Sequence, residues 1–248
     1  MNLVSVIVPY YNKKIYIYKT VKSILRQSYQ NFEIIIIYDD DKEDLALLKK
    51  VVKLDKRIFL IRNFKNIGAG LSRNKGIKIS RGNFIAFLDS DDIWLIDKLK
   101  LQLRFMQKNN YDFSFTSYDI IDSKDKKIGN RQANPFLNYD NLVKSCDIGL
   151  STVILKRKLF NNYYRFANLK TKEDYVYWLK LAKKGIKMCG LNRSLTKWRA
   201  TENSLSSNSK QKVLDAFLVY RKYLKFSLIK SLLCVIVLSL NYILKKYR

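Results

Sequence analysis

The 248-residue chain contains no histidine, which excludes His-based catalytic triads and His-ligated zinc. Its three cysteines, Cys146, Cys189 and Cys234, are scattered without metal-binding spacing and fit a reducing compartment. Acids are scarce: 21 Asp and Glu face 48 Lys and Arg, a formal net charge of +27. A field of that sign favours an anionic partner such as nucleic acid, anionic lipid or a phosphorylated substrate. Lysine-rich composition alone names none of them. No charged segment precedes the first apolar run at Leu3, so no signal peptide is expected. Nor is there an internal repeat or a low-complexity segment. The length allows one large α/β domain, or one and a half.

The few acids are concentrated. Residues 84–88 form an apolar run that reads as a strand buried on both faces, and it ends in Asp89, Asp91 and Asp92. Three carboxylates this close repel one another. Either a hard cation gathers them, Mg2+ or Mn2+ by ligand type, or they form a solvated turn leading into the next helix. Residues 32–37 make a second apolar strand that also runs into acids: Asp39, Asp40, Asp41, Glu43 and Asp44. The first strand, residues 3–9, is stopped by Pro9, and Tyr10-Tyr11-Asn12 follows as a loop. Ile17, Val21, Ile24 and Leu25 recur with helical spacing, as do Leu45, Leu48 and Val52 before a third strand at 58–61. With a helix at 71–80, the order is βαβαβαβ, which implies a mostly parallel sheet and acidic strand ends on one edge.

Residues 66–76 carry Gly68 and Gly70, suited to close backbone approach, and Arg73, suited to a phosphate. An ordinary glycine-rich helix start reads the same way. Leu99, Leu103 and Met106 mark a helix, residues 122–138 a polar surface loop, and residues 152–155 a strand. A helix follows Thr171, its expected N-cap, with Glu173 and Asp174 in the first turn, where acids also favour the helix dipole. Trp198-Arg199 and Asn203-Ser204-Leu205-Ser206 are expected in a loop. Beyond residue 205 the chain carries nine Lys or Arg against one acid, Asp215, around an apolar stretch at 226–244. The uninterrupted part of that stretch is short against the ~20 residues of a spanning helix. Lysines on both flanks suit a helix lying in an anionic membrane interface; spanning and soluble packing are the alternatives.

In this order the motifs resemble those of family-2 inverting glycosyltransferases with the GT-A fold, over residues 1 to about 210. The matching pieces are Val4-Ser5-Val6-Ile7-Val8-Pro9-Tyr10-Tyr11-Asn12, the strand ending at Asp39, and the N-x-G-x-x-x-x-R-N-x-G segment from Asn66. The D-x-D motif at Asp89-Ser90-Asp91, with Asp92 and Trp94 after it, and the E-D-x-x-x-W-L segment from Glu173 follow. The closing Trp198-Arg199 and Ser204-Leu205-Ser206 complete the set. The chain departs from the pattern in three places. Tyr38-Asp39-Asp40-Asp41 stands where the family has Asp-Asp-Gly-Ser, Leu95 or Ile96 where a proline is common, and Ala200-Thr201 where a histidine often follows the closing arginine.

The resemblance implies a Rossmann-like, mostly parallel sheet with flanking helices and a C-terminal helical tail. Residues 1–110 would bind the nucleotide sugar, 111–205 the acceptor, and 206–248 the membrane. It also implies roles. Pro9, Tyr11, Asp39, Gly68, Arg73, Asp89 and Ser90 would hold a nucleotide-diphosphate sugar, with Asp39 on the base and Asp89 on the ribose or metal-bound water. Asp91 would bind Mg2+ or Mn2+, and Arg73 would offset charge on the leaving diphosphate. Asp174 would be the general base of a single inverting displacement, with Glu173, Asp92, Trp94 and Arg199 as further candidates. The implied acceptor is a lipid-linked saccharide, used in bacterial surface polysaccharide synthesis at the inner face of the cytoplasmic membrane. A sugar-phosphate nucleotidyltransferase is the alternative, since it too uses a glycine-rich segment and metal carboxylates. A nucleic-acid binder fits the charge but not two acidic sheet edges, and no nucleic-acid motif is present.

Overall fold

The computed structural model describes residues 2–40, 44–201 and 208–246. Four strands set the frame: β1 (Val4–Tyr10), β2 (Phe32–Tyr38), β3 (Ile58–Arg62) and β4 (Phe84–Phe87). They run parallel in the order β3-β2-β1-β4. Valine and isoleucine dominate because the sheet is covered on both sides. The period of two sends Val4, Val6 and Val8 to one core, with helices α1 (Ile17–Leu25) and α4 (Lys98–Lys108). Ile7, Ile35 and Ile37 face the other core, with α3 (Ala69–Ile79) and α6 (Glu173–Lys183). Helix α2 (Leu45–Val52) joins β2 to β3.

Register then fixes the functional edge. Tyr10 pairs with Tyr38 across β1 and β2, and Ile7 pairs with Phe87 across β1 and β4. The residues just past each strand, Asp39 and Asp89, therefore emerge at the same end of the sheet. This is the crevice at which open α/β sheets take ligands.

The second half of the chain extends the sheet with mixed polarity. Short β9 (Ile154–Lys156) runs antiparallel between β4 and β6 (Phe113–Ile121), and β10 (Met188–Arg199) lies parallel to β6. Strand β5 (Ile93–Trp94) closes the far edge against β10. The acidic turn after β4 thus arches over the ends of three strands before its chain rejoins the sheet. Two expectations are corrected. The 122–138 segment contains β7 (Lys127–Arg131), a hairpin on β6, and β8 (Phe136–Leu137) on β10. Its polar residues are strand residues with one solvated face. Trp198 and Arg199 end strand β10 instead of lying in a loop. Residues Asp41, Glu43, Ser204, Leu205 and Ser206 lie outside the described residues.

The tail also differs from a detached anchor. Helix α7 (Ser209–Leu218), a π-helical turn (Val219–Tyr223) and helix α8 (Leu228–Lys246) bury Ala216, Val219, Tyr220, Val235 and Leu238 in the same core as Trp178. Tyr220 Oη donates to Val143 O at 2.7 Å and lies 3.1 Å from Tyr175 Oη. Val143 belongs to α5 (Tyr139–Lys144), which packs between α6 and α8. Removing residues 209–248 would uncover this face of α6. Such a chain is expected to lose its cooperative melting transition; one that melts like the full chain would show the tail to be an independent unit.

Candidate functional site

Asp39 sits just past β2 and is buried. Its Oδ1 accepts from Asn63 Nδ2 at 2.8 Å and from Ile67 N at 2.9 Å, and its Oδ2 accepts from Gly68 N at 2.8 Å. One carboxylate thereby ties the β3–α3 loop to the sheet edge. Gly68 caps the start of helix α3 at φ +86° and ψ 158°, a positive-φ extended conformation that glycine adopts without steric cost. Pro9 lies buried in β1, while Tyr11 is exposed at the rim of the edge.

Arg73, expected to face a phosphate, is instead the bridge of the site. Its side chain is only 4% exposed. Nη2 contacts Asp89 Oδ1 at 2.6 Å and Nη1 contacts Glu173 Oε1 at 2.6 Å, while Phe166 lies beneath the guanidinium. Nε has no partner among the described residues. A buried guanidinium needs such pairing, because desolvation of an unpaired charge is costly. Helix α6 reaches it only because residue 70 is glycine. A Cβ there would stand 2.6 Å from Ala167 O and 2.9 Å from Glu173 Cγ.

The acidic turn divides its carboxylates. Asp92 is almost fully buried; its Oδ2 accepts from Ser151 Oγ at 2.5 Å and its Oδ1 from Arg199 N at 2.8 Å. Burial pushes its carboxyl well above the ordinary range, and repulsion from Asp91 and Asp89 adds to this. Ser151 also accepts from Asp89 N, and its carbonyl accepts from Trp94 Nε1. Trp94 is thus a buried strut, as is Ser90, whose carbonyl accepts from Thr20 Oγ1. Arg199 is buried under the turn: Nε donates to Asp91 O at 2.8 Å, Nη1 donates to Asp122 O at 2.8 Å, and Nη2 pairs with Asp125. The side chains of Asp92, Ser151, Trp94 and Arg199, with the Ser90 carbonyl, hold the turn.

Asp91 and Asp89 remain for a ligand. Asp91 Oδ2 meets Lys13 Nζ at 2.7 Å, and burial raises its carboxyl while Lys13 partly offsets the rise. The ammonium occupies a cation position on this carboxylate. The hard oxygen donors of Asp89 and Asp91 fit Mg2+ or Mn2+. No group of three or more acidic, Cys or His ligands occurs among the described residues. Other ligands would have to be water or phosphate oxygens.

Across the cleft, α6 begins without a side-chain cap. Its N-cap is Lys172, at φ +60°, and Thr171, the expected cap, hydrogen-bonds Asp215 instead. Glu173 is buried on Arg73, and burial pushes its carboxyl up to about 7 against the pull of the guanidinium. Asp174 is half-buried, and among the described residues its one side-chain hydrogen bond is from Tyr175 N. Burial raises its carboxyl too, with Arg73 and Lys172 opposing. The sheet therefore collects Asp39, Gly68, Arg73, Asp89, Asp91, Glu173 and Asp174 at one edge, although 135 positions separate Asp39 from Asp174. Sequence reasoning did not single out Lys13, Asn63, Ser151 or Asp215, which serve this edge through contacts without a local sequence signal.

Residues 5–165 match the model of "Glycosyl transferase family 2". The chain belongs to this glycosyltransferase family. It is 37% identical to the putative teichuronic acid biosynthesis glycosyltransferase TuaG of Bacillus subtilis, over 98% of this chain and 97% of that protein. It is 42% identical to UDP-Glc:alpha-D-GlcNAc-diphosphoundecaprenol beta-1,3-glucosyltransferase WfaP of Escherichia coli, over 84% and 81%. The fold is that of GT-A glycosyltransferases. Staphylococcus aureus TarS 1–349 in complex with UDP-GlcNAc superposes with a TM-score of 0.70 at 20% identity, covering 95% of this chain and 70% of that one.

The glycine contact yields a direct test. Gly70→Ala should push α6 off α3 and cost about 1–3 kcal/mol in denaturant unfolding. Gly68→Ala, which meets open space but strains the backbone, should cost about 1–3 kcal/mol. Equal, negligible costs would mean that the α3–α6 approach is looser than described.

Proposed function

We propose that this glycosyltransferase moves a sugar, with inversion, from a nucleoside-diphosphate donor to a hydroxyl of a lipid-linked saccharide at a membrane surface. The observation that carries the mechanism is the half-buried Asp174 carboxylate, placed one residue past an Arg73-anchored Glu173 and facing the edge that carries Asp89 and Asp91. UDP is the proposed carrier and an undecaprenyl-diphosphate saccharide the proposed acceptor, by analogy with the WfaP relative, whose name states both. Membership of the family favours sugar transfer over nucleotidyl transfer.

The residues divide the work. Asp39, with the loop that it ties down, would present the edge against which the base and ribose lie; Pro9, Tyr11 and Gly68 border it. Asp91, with Asp89, would hold Mg2+ or Mn2+. That ion would supply charge neutralisation for the departing diphosphate. Lys13, beside Asp91, brings a positive charge of the chain's own to the same place. Arg73 fixes the distance between donor and base halves by pairing with both Asp89 and Glu173. Asp174 would accept the acceptor hydroxyl's proton as its oxygen attacks the anomeric carbon from the face opposite the leaving group. One displacement inverts that carbon.

The raised carboxyls set the pH response. A base works deprotonated, so a base titrating above the ordinary carboxylate range loses activity on the acid side of neutrality. Glu173 and Asp174 are adjacent, and the Asp174 charge adds to the rise of the Glu173 carboxyl. Turnover should therefore rise with pH along a limb displaced above the ordinary carboxylate range, and a limb at the ordinary range would show that the base is not raised. Asp174→Asn should lower turnover about 100-fold or more with the donor KM little changed, and Asp91→Asn should abolish metal-stimulated transfer. An Asp174→Asn enzyme with near-parental turnover would remove Asp174 from the role of base.

The membrane part rests on α8. Ser231, Val235 and Leu238 dock it on the domain, while Ile229, Leu232, Leu233, Ile236 and Leu240 face outward. No helix among the described residues is long and apolar enough to cross a membrane. A docked helix with an apolar outer face and basic neighbours suits the interface of an anionic bilayer. The protein should float with anionic vesicles and much less with neutral ones. Equal flotation with both would discard the electrostatic part, and none with either would discard the membrane seat.

A further inference from the structure

The tail's only acid, Asp215, is 2% exposed and forms no ion pair among the described residues. Its Oδ2 accepts from both Thr171 N, at 2.7 Å, and Thr171 Oγ1, at 2.8 Å; its Oδ1 accepts from Gln211 Nε2 at 3.0 Å. A buried carboxylate without a cation is retained only where hydrogen bonds compensate its desolvation, and those to a backbone N–H are among the stronger ones. Here the compensation comes mainly from one residue, and that residue has a particular place. Thr171 precedes Lys172, a non-glycine held at φ +60°, and Lys172 leads into Glu173 and Asp174.

A lysine held in the left-handed region is strained and persists only where its surroundings dictate it. The surroundings act on both sides of the turn. Asp215 fixes Thr171 before it, while Ala167 N donates to Glu173 O at 3.2 Å and Arg73 grips the Glu173 side chain after it. One turn further on, Tyr175 Oη donates to Leu142 O and lies beside Tyr220 of the tail. Without the Asp215 tie, residue 172 would be free to relax to an ordinary helical φ. That relaxation would rotate the first turn of α6 and move the Asp174 carboxylate relative to Asp89 and Asp91.

We infer that Asp215 is a positioning residue. It acts through Thr171 to set the left-handed turn that aims the carboxylates of the first α6 turn, and it makes the tail part of the catalytic apparatus. The inference rests on the proposed function for the role of those carboxylates. It also gives a reason for the tail's place in the core. Helix α7, which carries Asp215, packs against α8, so the face proposed to meet the membrane and the turn that carries the base belong to one packed unit.

The test separates positioning from mere stabilisation. Full-length Asp215→Ala, assayed well below its melting range, should lose about tenfold or more in turnover for transfer, with the donor KM within about twofold. Asp215→Asn keeps an oxygen for both Thr171 donors and should recover most of that loss. A folded Asp215→Ala enzyme with turnover within about twofold of the parent overturns the inference, whatever its melting temperature. Should the alanine variant not fold, Thr171→Val decides. It removes the hydroxyl bond and keeps the backbone one, so a turnover loss of about threefold or more supports positioning and parental turnover overturns it. Asp174→Asn measured in parallel keeps the two readings apart: its activity reports the identity of the base, whereas Asp215→Ala reports the turn with both carboxylates intact.

Discussion

The site depends on one buried guanidinium. Arg73 pairs at 2.6 Å with Asp89, at the end of β4, and with Glu173, at the start of α6, and so joins the two halves of the chain across the sheet edge. Glu173 could not be buried at that position without it, and Arg73 could not be buried without the two carboxylates. The short approach of α6 to α3 that the bridge requires is open only because residue 70 lacks a side chain. Charge pairing and a missing methyl group together set the width of the cleft.

Around that bridge the carboxylates separate into holders and workers. Asp92 and Asp39 accept hydrogen bonds from donors on other elements and fix loop geometry. Among the described residues Asp91 pairs with a lysine, and Asp174 accepts from a single backbone N–H. Burial raises both, which suits a pair of acids whose charge is to be used on a ligand instead of on the fold. The aromatic cluster of Phe87, Phe113, Phe166, Tyr177 and Trp178 supplies the rigid backing, with edge-on ring contacts such as Phe113–Trp178 at 4.9 Å.

The tail carries two chemistries on one short stretch. Its inward residues complete the core beside α6, and the outward leucines and isoleucines of α8 remain uncovered. Lysines and arginines dominate its charges, and its one acid is turned inward onto Thr171. A segment that reads as an anchor by composition is therefore also a structural wall of the site, because the same helices present different faces to the core and to the outside.

The alternation of apolar runs with helical spacing was enough to specify the βαβ frame, the buried character of β1, β2 and β4, and the arrival of Asp39 and Asp89 at one edge. These follow from periods of two and 3.6 and from the parallel register that such alternation imposes. The motif order at Asp89-Ser90-Asp91 and Glu173-Asp174 pointed to the family. What remained hidden was every partnership made across distance. Arg73 reads as a phosphate ligand in sequence but is paired with two carboxylates; Thr171 reads as a cap but is held by Asp215; Trp198 and Arg199 read as a loop but end a strand. The strand expected at 152–155 is β9, whereas short β5, β7 and β8 were invisible, since two to five residues carry too little periodicity. Local pattern fixes which face of an element is apolar, whereas the choice among polar partners depends on which elements meet in three dimensions, and only the tertiary structure decides that.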